Sequence, residues 1–434
     1  MSATLSIATD SARVEDALYR KVAWRFMPFL MLCYAIAYLD RVNVGFAKLQ
    51  MLTDLGFSET VYGLGAGIFF IGYFMFGMPS NLIMHRLGAG LWTACIMITW
   101  SVISGLMIFV HTTWQFYGLR LLLGLAESGF YPGIILYFTY WFPRARRAHI
   151  VALFMAAIPI SGIFGGPLSG WIMQSLSGLH GLSGWQWLFL IEAAPALLVG
   201  IAARFYLDRG IHTATWLTAD ERATLEQNIA SDEHAIASPV SVATLFADPR
   251  LWLMCGIYFC CIMGQYGITF WLPTLIRAAN AKSTLQVGLL SAIPYAVTIL
   301  VMVGLGRSAD RRRERRWHLV LPMVAGALGL LASTIAGERT GLAVASLSLA
   351  AAGVLSCAPL FWSLPASFLR GFTAAAGIGV INSVGNLAGF AGPYLVGWLK
   401  DLTHSTAAGM LVLAATLIIG ALAVLCVPQT LANR

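Results

Sequence analysis

The stretch WQFYGLRLLLGLAESGFYPGIILYFTYW, residues 114–141, is apolar for most of its length but carries Arg120 and Glu127 near its middle. About 20 apolar residues in a helix cross the roughly 30 Å of a bilayer's hydrocarbon core, so this stretch reads as a membrane span. A charge inside such a span costs roughly 2.5 kcal/mol or more, and it faces a polar cavity where it does work. The first apolar stretch, residues 24–46, holds a second such pair, Asp40–Arg41.

Composition extends this reading to the whole chain. Of 434 residues, 59% are hydrophobic and 11% charged, with mean hydropathy +0.77. Soluble domains carry about 25% charged residues. Spans are predicted at 24–46, 60–84, 89–110, 114–141, 148–174, 186–206, 251–276, 285–305, 317–336, 341–366, 373–399 and 406–427. Only helices and closed barrels satisfy the backbone in lipid, and the ten-residue alternation of barrel strands is absent. The expected fold is all-α integral membrane, with twelve transmembrane helices. No cleavable leader is expected, because the first apolar run continues into a full span. Ser11 is expected to cap a short amphipathic lead-in with Val14, Leu18 and Val22 on one face.

Charge placement orients the bundle. With both termini cytoplasmic, twenty Lys and Arg residues fall on the inner side and five on the outer: Lys48, Arg277, Lys282, Arg339 and Lys400. This asymmetry is the positive-inside pattern. It also accounts for the net charge of +8 and the basic run Arg311–Arg316, so nucleic acid is not an expected partner. The seven cysteines lie in apolar spans without metal-ligand spacing and read as packing residues.

The polar segment 207–249 splits the spans six and six, giving residues 1–206 and 250–434 as halves joined by a cytoplasmic linker. Thr218 with Glu221 forms a capping-box pattern that predicts a short amphipathic linker helix. The halves echo each other: Gly166-Pro167 with Trp171 matches Gly392-Pro393 with Trp398, and Pro132 matches Pro359 at nearly the same offset. Such duplication belongs to transporters whose site lies at the midplane between repeats.

Four motifs give the repeat a family resemblance: Tyr38-Leu39-Asp40-Arg41-Val42-Asn43; Arg120 through Gly133; Phe270-Trp271-Leu272-Pro273; and Asn382 through Pro393. The chain resembles major facilitator superfamily transporters, and more narrowly the anion:cation symporter family of organic acid carriers. That resemblance implies a pseudo-symmetric two-half fold and transport of a carboxylate anion with protons. One departure is Asn81, which stands where the wider superfamily usually has aspartate after the second span.

Arg120 and Glu127 lie two helical turns apart on one face, about 10 Å along the axis, too far to pair directly. Asp40 and Arg41 are the expected partners. Arginine suits a carboxylate because its planar fork makes two parallel hydrogen bonds. Arg41 and Arg120 are therefore the candidates for the substrate carboxylate, and Glu127 and Asp40 for the coupled proton. Tyr73, Gln265, Tyr266, Trp362, Ser363, Asn382 and Asn386 are candidate lining groups; each is equally an interhelical hydrogen-bonding or packing residue. All four charges, Asp40, Arg41, Arg120 and Glu127, are also readable as a structural charge network holding the first and fourth helices together. Glu192 reads as a structural group near the outer interface.

No phosphate loop, metal cluster or activated nucleophile is present, so an enzyme is not expected, and neither is a cofactor. The expected function is proton-coupled symport of an organic carboxylate into the cell across the inner membrane by a monomer. The alternatives are a proton-independent uniporter or exchanger and a membrane sensor of organic acids.

Overall fold

The computed structural model describes residues 2–233, 246–365 and 372–428. Those residues form helices joined by short turns, with no strand among them. Eleven helices are long and apolar enough to cross a membrane. The remaining expected span, 373–399, forms the helix Phe372–Thr403. The twelve spans are counted below in chain order.

The first span departs from expectation at both ends. One helix runs from Ser2 to Val42, so Ser11 lies inside it rather than at a start. After a break at Asn43 it resumes as Val44–Leu55, well past residue 46, and ends at Gly56, a left-handed C-cap with φ 64°. The extension is possible because Lys48 is buried against protein partners.

The fourth span is in two pieces, Thr113–Glu127 and Phe130–Thr139. Pro132 lacks the N–H that would reach the Ser128 carbonyl, so the ladder breaks directly after Glu127. The fifth span breaks the same way between Arg144–Met155 and Ala157–Ser175, where Pro159 has no N–H for the Met155 carbonyl.

Packing repeats with a six-span shift. The second span packs on the fourth and the eighth on the tenth; the third packs on the sixth and the ninth on the twelfth. Across the middle, the second span meets the eleventh and the fifth meets the eighth, pairs that a two-fold axis exchanges. The fifth and eighth spans approach closely: a Cβ on Gly288 would lie 2.2 Å from the Gly166 carbonyl oxygen.

The linker helix covers Ala219–Glu233. Its capping box is formed, with Glu221 N–H donating to Thr218 Oγ1 at 3.2 Å and Thr218 N–H to Glu221 Oε2 at 2.9 Å. Lys21 donates to Glu221 at 2.7 Å and ties the helix to the N-terminal one. That ammonium holds the Glu221 carboxyl below its ordinary range. Linker residues 234–245 lie outside the described residues.

Candidate functional site

Arg41 and Glu127 meet. Arg41 donates to Glu127 Oε2 through Nη2 at 2.8 Å and Nε at 3.2 Å, with the carboxylate fully buried. Its remaining arm, Nη1, donates to the Tyr266 hydroxyl at 3.2 Å on the seventh span. One guanidinium therefore bridges the first, fourth and seventh spans. Its Cζ lies 5.0 Å from the Phe69 ring centroid and 5.1 Å from that of Tyr73. Those two rings are four residues apart on the second span and share a face.

Arg120 does not join that pair. It is completely buried and donates to the carbonyls of Gly65 at 3.1 Å and Ala66 at 3.4 Å. It lies 5.1 Å from the Phe69 centroid, so both arginines rest near this one ring. Close packing makes this possible: a Cβ on Gly124 would sit 1.9 Å from the Phe69 carbonyl oxygen.

Asp40 corrects an expectation. Rather than partnering Arg120, it accepts from Trp100 Nε1 at 3.1 Å and Ser104 Oγ at 3.3 Å on the third span. Adjacent helical residues point about 100° apart, so Asp40 and Arg41 serve different neighbours. Glu192 is buried in the sixth span and accepts from Ser169 Oγ at 2.7 Å. Asn81 has a helical backbone, but its side chain lies outside the described residues.

The second half contributes rings and amides. Tyr266 packs on Phe70 at 4.3 Å, and Trp362 lies 4.9 Å from Tyr258. Gly385 abuts Tyr258 and Gly389 abuts Phe70, which puts Asn382 about one turn beyond the layer of Tyr258. Asn382 and Asn386 are half-buried. Gln265 is buried on the helix face beside Tyr266 and shares no hydrogen bond with the Arg41 cluster. Ser363 is spent on its own helix, donating to the Leu360 carbonyl at 2.7 Å. Sequence reasoning missed Phe69; its spacing from Tyr73 was the available signal. It also missed Tyr34, stacked on Phe154 at 4.5 Å beside Tyr131, for which the sequence carries no mark.

Beyond the pair, at the end away from the termini, a second charged cluster joins the halves. Lys48 is 2.6 Å from Glu59 and 3.4 Å from the Trp271 ring centroid. Lys400, just past the eleventh span, bonds the other oxygen of Glu59. Asp401 accepts from the N–H groups of Glu59 at 3.1 Å and Thr60 at 2.7 Å, capping the second span from the opposite half. Tyr62 donates to the Phe270 carbonyl at 2.8 Å. These contacts seal that end.

A twelve-span helical fold with a charged site buried between six-span units defines a membrane transporter, and the chain belongs to the Major Facilitator Superfamily, whose family model matches residues 30–393. It is similar to the putative metabolite transport protein NicT of Pseudomonas putida, 46% identical over 430 residues, covering 99% of this chain and 98% of that one. A putative tartrate transporter of Agrobacterium vitis is 46% identical over 418 residues, covering 96% of each. Among solved structures, a D-xylose–proton symporter aligns with TM-score 0.72 at 16% identity, covering 94% of this chain and 98% of that one. The protein is a multi-pass membrane transporter of a small molecule, and not an enzyme.

Proposed function

We propose that the protein carries an organic carboxylate into the cell together with protons, by alternating access between residues 1–206 and 250–434, tethered by 207–249. In this reading it works as a monomer in the inner membrane with both termini cytoplasmic. The observation that carries the proposal is Arg41, held at once by Glu127 of one half and Tyr266 of the other.

An incoming carboxylate competes with Glu127 for the Arg41 fork. When it wins, Glu127 is left buried without its cation, and binding a proton removes a charge that hydrocarbon cannot solvate. Substrate and proton thus load together. Arg41 is the direct carboxylate ligand. Arg120, covered by the second span, supports the site through Phe69 and the Gly65 and Ala66 carbonyls. Tyr73, Tyr266, Trp362, Asn382 and Gln265 supply hydroxyls, amides and ring faces for the body of the substrate. Asp40, bonded only to neutral donors, is a second proton position.

The test is uptake of labelled carboxylates into proteoliposomes, with tartrate first because a relative bears its name, followed by phthalate and hydroxyphenylacetate. An inward proton gradient should drive accumulation. Uptake indifferent to that gradient would establish a uniporter instead, and binding without uptake would establish a sensor.

A further inference from the structure

We propose that the end of the bundle carrying the termini holds a binding site for a phosphate group, set between Arg86 and Arg209 and apart from the transport site. A cavity of about 560 Å³ opens there between the turn joining the second and third spans, the segment after the sixth span, and the linker helix. Its basic lining is Arg86, Arg209 and His212, with Glu226 as the acid on the linker-helix wall.

The walls are fixed by contacts of their own. Trp216 donates to Asp208 at 2.8 Å and stacks on Trp141 at 5.9 Å. Asn228 of the linker helix donates to the Tyr19 hydroxyl at 3.1 Å. Leu207, Ile211 and Leu225 are buried beneath the segment. Arg209 lies along the turn at Gly88, whose φ is +84°; a Cβ there would stand 3.5 Å from Arg209 Cγ. The carboxylate next to Arg209 in sequence, Asp208, is engaged by the Trp216 indole.

Neither guanidinium has a carboxylate partner among the described residues, unlike Lys21 or Arg146 at the same end. Two arginines that line one cavity and lack a carboxylate partner among the described residues suit a phosphate group, whose oxygens accept paired charge-assisted hydrogen bonds from a guanidinium fork. A topology signal alone requires only that basic residues lie on this side. It does not require a cavity, or that two of them line it. The phosphate has two available sources: an anionic phospholipid headgroup, since Leu87 of the lining is exposed at the end of its span, or a soluble phosphate ester.

The experiment uses the full chain in nanodiscs, with melting read by tryptophan fluorescence. One arm compares phosphatidylcholine discs with discs that also contain phosphatidylglycerol. The other titrates inorganic phosphate and glycerol phosphate into phosphatidylcholine discs. A rise in Tm with phosphatidylglycerol alone assigns the headgroup, and a rise with soluble phosphate assigns the free ester. In either case Arg86→Gln with Arg209→Gln should abolish the rise, and Arg86→Gln alone, which leaves the Arg209–Gly88 contact intact, should weaken apparent affinity about tenfold or more. Arg311→Gln with Arg312→Gln, at the same end outside the cavity, should retain it. The proposal fails if no phosphate source raises Tm, or if Arg86→Gln shifts as wild type does.

Discussion

The Arg41–Glu127 contact places the whole chemistry of the proposed cycle in two side chains. A guanidinium presents a fork to a carboxylate, and an ammonium presents one point charge. Arg41→Lys should therefore weaken substrate binding about tenfold or more, measured by thermal shift or equilibrium binding, while the fold is kept. Unchanged affinity would remove Arg41 from the substrate. Glu127→Gln should preserve exchange of labelled for unlabelled substrate but lose accumulation driven by a proton gradient. If that variant still concentrates substrate, the proton is carried elsewhere, and Asp40 is the next position to test. The sequence showed that four charges were buried, because charge is rare in an apolar stretch. It did not show which of them meet. Asp40 and Arg41 are neighbours in the chain but face different spans, and the shielding of Arg120 depends on Phe69, an unremarkable residue in an apolar helix.

The spans themselves were legible because hydrocarbon thickness sets their length and hydropathy marks them. The break after Glu127 follows from Pro132. The reach of the first span to Leu55 was not legible, because what holds the Lys48 charge is Glu59 at the start of the next helix and the Trp271 ring far along the chain. At this scale the close crossing of the second and fourth spans carries a prediction. Gly124→Ala would drive a methyl into the Phe69 backbone, and overpacking of this kind costs about 1–3 kcal/mol. The variant should melt several degrees lower and bind substrate more weakly, since Phe69 lies against both arginines. Wild-type Tm and affinity would show that the arginines are placed by other contacts.

Across the molecule, the cluster of Lys48, Glu59, Lys400 and Asp401 opposes opening at the end away from the termini. Glu59→Gln removes the acceptor shared by two lysines, and stranding a buried charge costs about 3–5 kcal/mol. Spin labels at Thr53 and Lys282 should then report a longer distance between the halves. An unchanged distribution would mean that glycine packing such as Gly166 on Gly288 is sufficient to close that end. Asp401, just beyond its span, gives the seal a pH dependence. Its partial burial pushes the carboxyl up, but the Thr60 hydroxyl and N–H, the Ser58 hydroxyl and the Glu59 N–H outweigh this and hold it below its ordinary value. A depressed carboxyl stabilises the closed form above the ordinary Asp value of about 3.9, and that contribution is lost as pH falls through the lower folded value. Asp401→Asn should lower Tm at neutral pH, with the difference from wild type narrowing in acid. A difference constant from pH 7 to pH 3 would show that the charge of Asp401 does not matter.

In the proposed cycle the arrangement around Arg41 also governs the return stroke. A carrier that has released its cargo must reset with its central cation either hydrated or matched, and a dry passage leaves no room for water. Glu127 provides the match from within the protein, serving as a resident stand-in for the cargo's own anionic group. In the proposed cycle the unloaded protein therefore turns over without picking up a counter-cargo, which separates net delivery into a compartment from one-for-one swapping.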